Sequence, residues 1–333
     1  MNEKNLTVVL ILLFLLSLIY NNKIYIIIIF ILHYKKEVPW YSDKQMNKNK
    51  IPFGNIDWMS QIKDSTDLRE LSIPGTHDSC SSFFNIQFYL LWYANYQSQC
   101  QAWLIEDQLY SGIRYFDLRP AGDGFIYHGQ HQTKYTFKQI FEIFADFLNN
   151  HPKEGLIVRI QFQYKNCGNN VEETKEKVIY QILDIYNDYL YKGNEVPTVG
   201  QLRKKIYVLL ENLEYKNLVI WDNNDIIELQ DYFRLFGIRK LELDKKRKLV
   251  NDYMFNNNKK KLIINHCSAI GRGVLTTLKY VAYSVNEIPY SKVGFRGIFA
   301  FDFPGEDLIT HTINQNKSFI NSEIELNDSK QSL

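Results

Sequence analysis

The sequence predicts an α/β protein in which a parallel sheet, open or closed into a barrel, is covered by helices. Two observations predict it. From Trp58 onward, short β-type runs alternate with segments whose apolar residues recur at helical spacing. In addition, titratable residues fall at the same end of successive runs, which is where a parallel barrel gathers its chemistry.

The strand candidates, in order, are 70–75 (ELSIPG), 112–119 (GIRYFDLR), 155–163 (GLIVRIQFQ), 205–211 (KIYVLLE), 226–233 (IIELQDYF), 261–267 (KLIINHC) and 297–303 (GIFAFDF). Between them, 136–150 places Phe137, Ile140, Phe141, Phe144 and Phe147 on one helical stripe. A second stripe is formed by Val178, Ile182, Ile185 and Tyr189. The strand ends carry His77-Asp78, Asp117 and Arg119, Asp231, and Asp302, and the short run GFIYHG ends on His128. A single Asp at a strand end is often a helix cap and a single His is usually structural. Five coincidences at one end point instead to a convergent site.

The 333 residues, 45% hydrophobic and 15% aromatic, suffice for a large core. A formal charge of +2 gives no reason to expect nucleic acid as a partner. The N-terminal part, 1–36, is apolar: Leu6–Tyr20 and Ile24–Leu32 are uncharged and separated by Asn21-Asn22-Lys23. No A-x-A-like cleavage site follows, since the first alanine is Ala94, so a retained anchor is expected over a cleaved signal peptide. Residues 37–57 read as a linker, 58–320 as the strand–helix domain and 321–333 as a polar tail. Cys80, Cys100, Cys167 and Cys267 fit no metal spacing; a Cys80–Cys100 disulfide and free buried thiols both remain open.

The motifs IPGTHDS (73–79), GIRYFDLRP (112–120), YHG (127–129), LQDYF (229–233), LIINHCSA (262–269) and GIFAFDF (297–303) resemble, in order and spacing, the catalytic X domain of phosphatidylinositol-specific phospholipases C of the bacterial, single-domain type. The resemblance implies a distorted TIM-like (β/α) barrel. It also implies cleavage of phosphatidylinositol, free or within a glycosylated anchor, by attack of the inositol 2-hydroxyl on its own phosphorus. On that reading His77 is the general base oriented by Asp302, and His128 is the general acid partnered by Asp78. Arg119 faces the phosphate, Asp117 helps position the site, and Asp231 accepts inositol hydroxyls. Arg119 stands where the metal-dependent relatives place an acidic ligand, so the resemblance implies no metal and no cofactor. It implies a monomer whose partner is a phosphatidylinositol-containing membrane.

The pattern departs from the family at the headgroup pocket. Gln161 and Glu211 stand where the family places Lys and Arg, and Phe233 stands where it places Tyr. Arg159, on the same strand face as Gln161, is a candidate to replace the lost charge. The segment 80–100 (CSSFFNIQFYLLWYANYQSQC) matches a short rim helix that inserts in the membrane, with Phe83, Phe84, Phe88, Leu91 and Trp92 as the contact residues; an ordinary buried helix is the alternative. Two other readings compete: a catalytically impaired inositol-lipid-binding protein, favoured by Gln161 and Glu211, and another lipid phosphodiesterase on the same barrel.

Overall fold

The computed structural model describes residues 55–82, 98–256, 258, 260–271 and 277–320. The N-terminal anchor segment, most of the linker, the rim residues Phe83, Phe84, Phe88, Leu91 and Trp92, and the tail lie outside the described residues. The chain divides into two units, Met1–Val38 and Pro39–Leu333, and every described residue belongs to the second. Among the described residues no helix is long and apolar enough to cross a membrane.

Twelve strands follow in chain order: β1 (Ser72–Thr76), β2 (Tyr115–Leu118), β3 (Phe125–His128), β4 (His131–Thr136), β5 (Leu156–Gln161), β6 (Ile206–Glu211), β7 (Val219–Ile220), β8 (Ile227–Gln230), β9 (Arg234–Leu235), β10 (Leu262–His266), β11 (Ile270–Gly271) and β12 (Gly297–Phe301). Eight of them form one sheet in the order β7-β6-β5-β2-β1-β12-β10-β8. Every ladder in it is parallel. The sheet ends on β7 and β8, so this is a curled barrel with a seam. The hairpin β3–β4 and the two-residue ribbon β9–β11 stand outside it.

Alternation along the strands sorts their side chains into two layers. Ile73, Tyr115, Ile157, Leu209, Ile264 and Ile298 pack together in the barrel interior with Trp58 and Met59. Phe116, Leu118, Val158, Ile160 and Val208 face outward onto the helix Phe137–Asn150. All five stripe residues of that helix are buried, and Thr136 and Gln139 close a capping box at its start. Phe299 and Phe301 pack against Leu243, Val250 and Met254 of the helix Arg239–Met254 and Val281 and Val285 of the helix Leu278–Tyr290.

Two expectations change. Residues 55–57 belong to the packed chain rather than to a linker: Asn55 is buried and donates to Thr310 Oγ1 at 2.7 Å. The second stripe does not hold as one face either. A π-helical turn, Glu176–Tyr180, adds a residue and rotates the next turns of the helix. Ile179, Ile182 and Leu183 are buried, whereas Ile185 faces solvent. All four cysteines are free thiols.

Candidate active site

The first strand shows how the sequence builds the site. A Cβ on Gly75 would meet the Tyr115 side chain at 2.7 Å, so only glycine lets β1 lie this close to β2. The residues after β1 then fold into a locked turn. Ser79 Oγ donates to Thr76 O at 3.0 Å and accepts from Asp117 N at 2.8 Å, while Ser79 N donates to Asp117 O at 3.0 Å. Inside this turn Asp78 takes a left-handed backbone, φ 42°. Phe303, just after Asp302, does the same at φ 47°. Left-handed backbone is uncommon for Asp and a genuine outlier for Phe, and both strained positions flank carboxylates of the site. In the β3–β4 hairpin, Gly129 at φ 56° makes the tight turn that leaves His128 at its tip.

Because the sheet is parallel, these ends converge. His77 Nδ1 lies 2.9 Å from Asp302 Oδ1. On its other side, His77 Nε2 accepts from Arg119 Nη2 at 2.9 Å and sits 3.3 Å from Asp78 Oδ2. Since Arg can only donate, Nε2 carries the lone pair and Nδ1 the proton. His128 is held by different groups. Its Nδ1 faces the Ser98 carbonyl at 2.5 Å, and its Nε2 lies 3.2 Å from Asp78 Oδ2. The two imidazoles lie edge to face, 6.1 Å between centroids.

Arg119 bridges the carboxylates. Its Nε is 3.0 Å from Asp78 Oδ1 and its Nη2 is 2.9 Å from Asp117 Oδ2. Asp117 continues the chain of charges to Arg159 Nη1 at 3.1 Å, and Arg159 Nε donates to Glu211 Oε2 at 2.7 Å. Gln161 Nε2 donates to the other Glu211 oxygen at 2.6 Å. Arg159 therefore has two carboxylate partners of its own and stacks over Trp221, 4.4 Å from its centroid. Glu211, an unexplained acid in the sequence, is the counter-ion that such a buried guanidinium requires.

Burial sets the proton balance. It holds the His77 imidazole down at about 4 and raises the Asp302 carboxyl to about 7. The pair thus keeps one extra proton until near neutrality and loses it to give an ionised Asp302 behind a neutral His77. Burial also pushes Asp117 up, but Arg119 and Arg159 outweigh it and hold that carboxyl well below the usual range.

Asp231 follows β8, half-buried, with Oδ1 3.9 Å from His266 Nδ1. Phe233 is exposed beyond it, with the Arg234 guanidinium 5.0 Å over its ring. Sequence reasoning missed His266. It ends β10 as the other site residues end their strands, so the strand-end rule applied to KLIINHC would have found it. Its ring is 5.8 Å from His77, and neither nitrogen has a hydrogen-bond partner among the described residues. Also missed was Lys246, buried in the helix Arg239–Met254, which reaches Gln230 Oε1 at 3.2 Å. Its distance in sequence from every motif hid it. Ligand atoms of His77, Asp78 and Cys100 lie within 4.8 Å of one another and could hold a metal ion, but burial raises the Cys100 thiol well above its ordinary range and Arg119 already engages Asp78.

Residues 71–212 match the family model of the phosphatidylinositol-specific phospholipase C X domain. The 1-phosphatidylinositol phosphodiesterase of Listeria monocytogenes is 30% identical over 282 residues, spanning 78% of this chain and 84% of that protein. The solved phosphatidylinositol-specific phospholipase C of Listeria monocytogenes superposes with a TM-score of 0.69 at 28% identity, covering 79% of this chain and 98% of that one. A phospholipase C structure from Staphylococcus aureus shares the fold at a TM-score of 0.64 and 18% identity, covering 80% of this chain and 99% of that one.

Proposed function

The chain belongs to the phosphatidylinositol-specific phospholipase C family, and from that premise we propose that it cleaves phosphatidylinositol, free or in a glycosylated anchor, to diacylglycerol and inositol 1,2-cyclic phosphate. One observation supports the assignment of roles: Arg119 donates to His77 Nε2, which leaves that nitrogen with its lone pair, whereas His128 lies against the Ser98 carbonyl and Asp78. His77 has a free-pair nitrogen toward the site and a carboxylate behind its N–H, which is the arrangement of a base. His128 lies 3.2 Å from the Asp78 carboxylate with Nε2 and faces the Ser98 carbonyl with Nδ1, which fits the acid.

His77 Nε2 takes the proton of the inositol 2-hydroxyl as that oxygen attacks phosphorus. The bond from phosphorus to the glycerol oxygen breaks, and His128 Nε2 delivers a proton to the departing oxygen. Asp302 stabilises the imidazolium that forms on His77. Arg119 swings its charge from the two carboxylates toward the phosphate oxygens, supplying what a metal supplies in other sites. Asp117 holds Arg119 in reach, and Asp78 partners His128. Asp231 and Phe233 line the inositol side. Arg159, Gln161 and Glu211 form the wall next to them, with Arg159 neutralising Glu211 and Asp117 more than it serves the phosphate.

The partner surface is a phosphatidylinositol-containing membrane. Phe83, Phe84, Phe88, Leu91 and Trp92 are proposed to contact it, and residues 6–32 to remain as an anchor. Incubating the whole protein with phosphatidylinositol and assaying diacylglycerol tests the function. Release by the wild type and not by His77→Ala supports it; no release, or phosphatidic acid as the lipid product, overturns it.

A further inference from the structure

Register places His266 inside the barrel, beside Asp231. Asn265 on β10 pairs with Gln230 on β8, so the next rung of these parallel strands sets His266 next to Asp231. Ile264, two residues earlier, faces the barrel interior, and alternation turns His266 the same way. Its ring stands edge to face with two others, His77 at 5.8 Å and Trp221 at 6.0 Å between centroids. The residue is 1% exposed, and neither ring nitrogen has a hydrogen-bond partner among the described residues. A buried polar group left unpaired lowers stability, and a phenyl ring would fill much the same volume without that cost. The imidazole therefore calls for a partner within reach.

Asp231 supplies the acceptor. Its Oδ1 lies 3.9 Å from His266 Nδ1, about 1 Å beyond an ordinary hydrogen bond. The Asp231 side chain is 29% exposed, so the carboxylate spans from the open site to the buried imidazole. The main chain around the pair is fixed from the other face of the sheet. Gln230 Nε2 donates to His266 O at 2.9 Å and to Asn265 Oδ1 at 2.8 Å. Gln230 Oε1 accepts from Tyr232 N at 2.8 Å and from Lys246 Nζ at 3.2 Å. Asn265 Nδ2 in turn donates to Val250 O at 2.9 Å. One side chain thus ties down the backbone on both sides of Asp231 and at His266, which leaves side-chain rotation of Asp231 to close the gap. Burial holds the imidazole down at about 3, so it meets the carboxylate as a neutral N–H donor and not as a cation.

We propose that His266 is a positioning residue for the headgroup: its Nδ1–H bonds one oxygen of Asp231 and turns the carboxylate so that the other oxygen accepts from the inositol hydroxyls. A carboxylate free to rotate loses that freedom when a polyol binds, whereas one anchored at its back presents a fixed acceptor. Asp231 touches the headgroup, and His266 acts through it. The identity of the headgroup rests on the function proposed above; the bond between His266 and Asp231 does not.

The test is a double-mutant cycle on the whole protein with His266→Phe, Asp231→Ala and the two combined. Phe keeps a ring and removes the donor, so His266→Phe should melt no lower than the wild type. Its affinity for myo-inositol, titrated by ligand-observed NMR, should fall about tenfold, as for loss of a hydrogen bond to a charged group. KM for phosphatidylinositol should rise by a similar factor while kcat changes little. In the Asp231→Ala background the same substitution should change affinity by less than about twofold, because the carboxylate it positions is gone. Imidazole nitrogen spectra with myo-inositol present, the His266 signals assigned by their loss in His266→Phe, should show its proton on Nδ1. Where Asp231→Ala binds too weakly to titrate, this tautomer decides. The proposal is overturned if His266→Phe binds myo-inositol like the wild type, or if His266 carries its proton on Nε2. Equal loss in both backgrounds with a lowered Tm makes the ring structural and overturns it as well. If the wild type does not bind myo-inositol, the headgroup role is overturned. If it binds myo-inositol and cleaves no phosphatidylinositol, the proposed function fails while the binding cycle still decides the role of His266.

Discussion

Arg119→Gln removes the charge that joins the two halves of the site, and its effects on stability and on rate are separable. Two nearly fully buried carboxylates, Asp78 and Asp117, contact this guanidinium at 3.0 and 2.9 Å. Breaking a buried pair costs about 3–5 kcal/mol because a charge is left uncompensated. Asp117 keeps Arg159 at 3.1 Å, so the lower end applies, about 3 kcal/mol. In a domain of this size that is a drop in Tm of roughly 6–12 °C. Turnover should fall by about 10²–10³, the usual cost of one preorganised group that stabilises developing charge. The double variant Asp117→Asn/Arg119→Gln removes the carboxylate left with one cation, Arg159, instead of two, and should recover roughly 1–2 kcal/mol of stability, as coupled neighbours do. It should recover no activity, since the phosphate still lacks its cation. Melting curves and kcat/KM on phosphatidylinositol, measured on the single and double variants together, decide it. If activity returns in step with stability, Arg119 acts only as a structural bridge and the chemistry given to it is wrong.

The same geometry sets other expectations. His77→Ala and His128→Ala should each lower kcat by about 10²–10⁴ while KM changes little, because each removes a proton-transfer group. Lys246→Met should move stability and activity in opposite directions. Burial lowers this ammonium from 10.5 to about 8. The group is therefore charged at a cost in the folded state below pH 8, and the stability it withholds returns as pH rises from 8 to 10.5. Removing it should stabilise the protein at pH 7 by about 1–2 kcal/mol after the loss of its hydrogen bond to Gln230. Lys246 also helps keep Asp302 ionised, so the acid limb of the pH–kcat/KM profile, expected near the Asp302 value of about 7, should shift upward in the variant.

Strand ends were the most legible part of this chain. The tight spacing of His77-Asp78 after Pro74-Gly75, and of Asp117 and Arg119 on one strand face, placed four side chains that the fold brings together within hydrogen-bonding distance. Asp302 was legible for the same reason, since a parallel sheet puts every such end on one side, whereas His128 comes from the antiparallel β3–β4 hairpin outside that sheet. Hidden from the sequence were contacts that depend on reach across the barrel. Arg159 read as a replacement for a missing charge in the headgroup pocket, and it lies between Asp117 and Glu211, because a buried guanidinium takes the carboxylates nearest to it. Glu211 read as an anomaly for want of that partner. Lys246 comes from a helix whose buried face consists otherwise of Leu243, Val250 and Met254, and nothing in local periodicity marks one lysine of a basic run as the buried one. The π turn at Glu176–Tyr180 was equally invisible, since a one-residue insertion rotates a face without altering composition.

The central claim is that the inositol 2-hydroxyl is the nucleophile and that Arg119, not a metal, meets the charge on the phosphate. Phosphorus NMR of phosphatidylinositol cleavage in the presence of a strong chelator tests both at once. The account predicts an undiminished rate and inositol 1,2-cyclic phosphate as the first water-soluble product, with any acyclic phosphate appearing later. An acyclic phosphate as the first product would put water in the place of the hydroxyl, and loss of activity in chelator would put a metal in the place of Arg119.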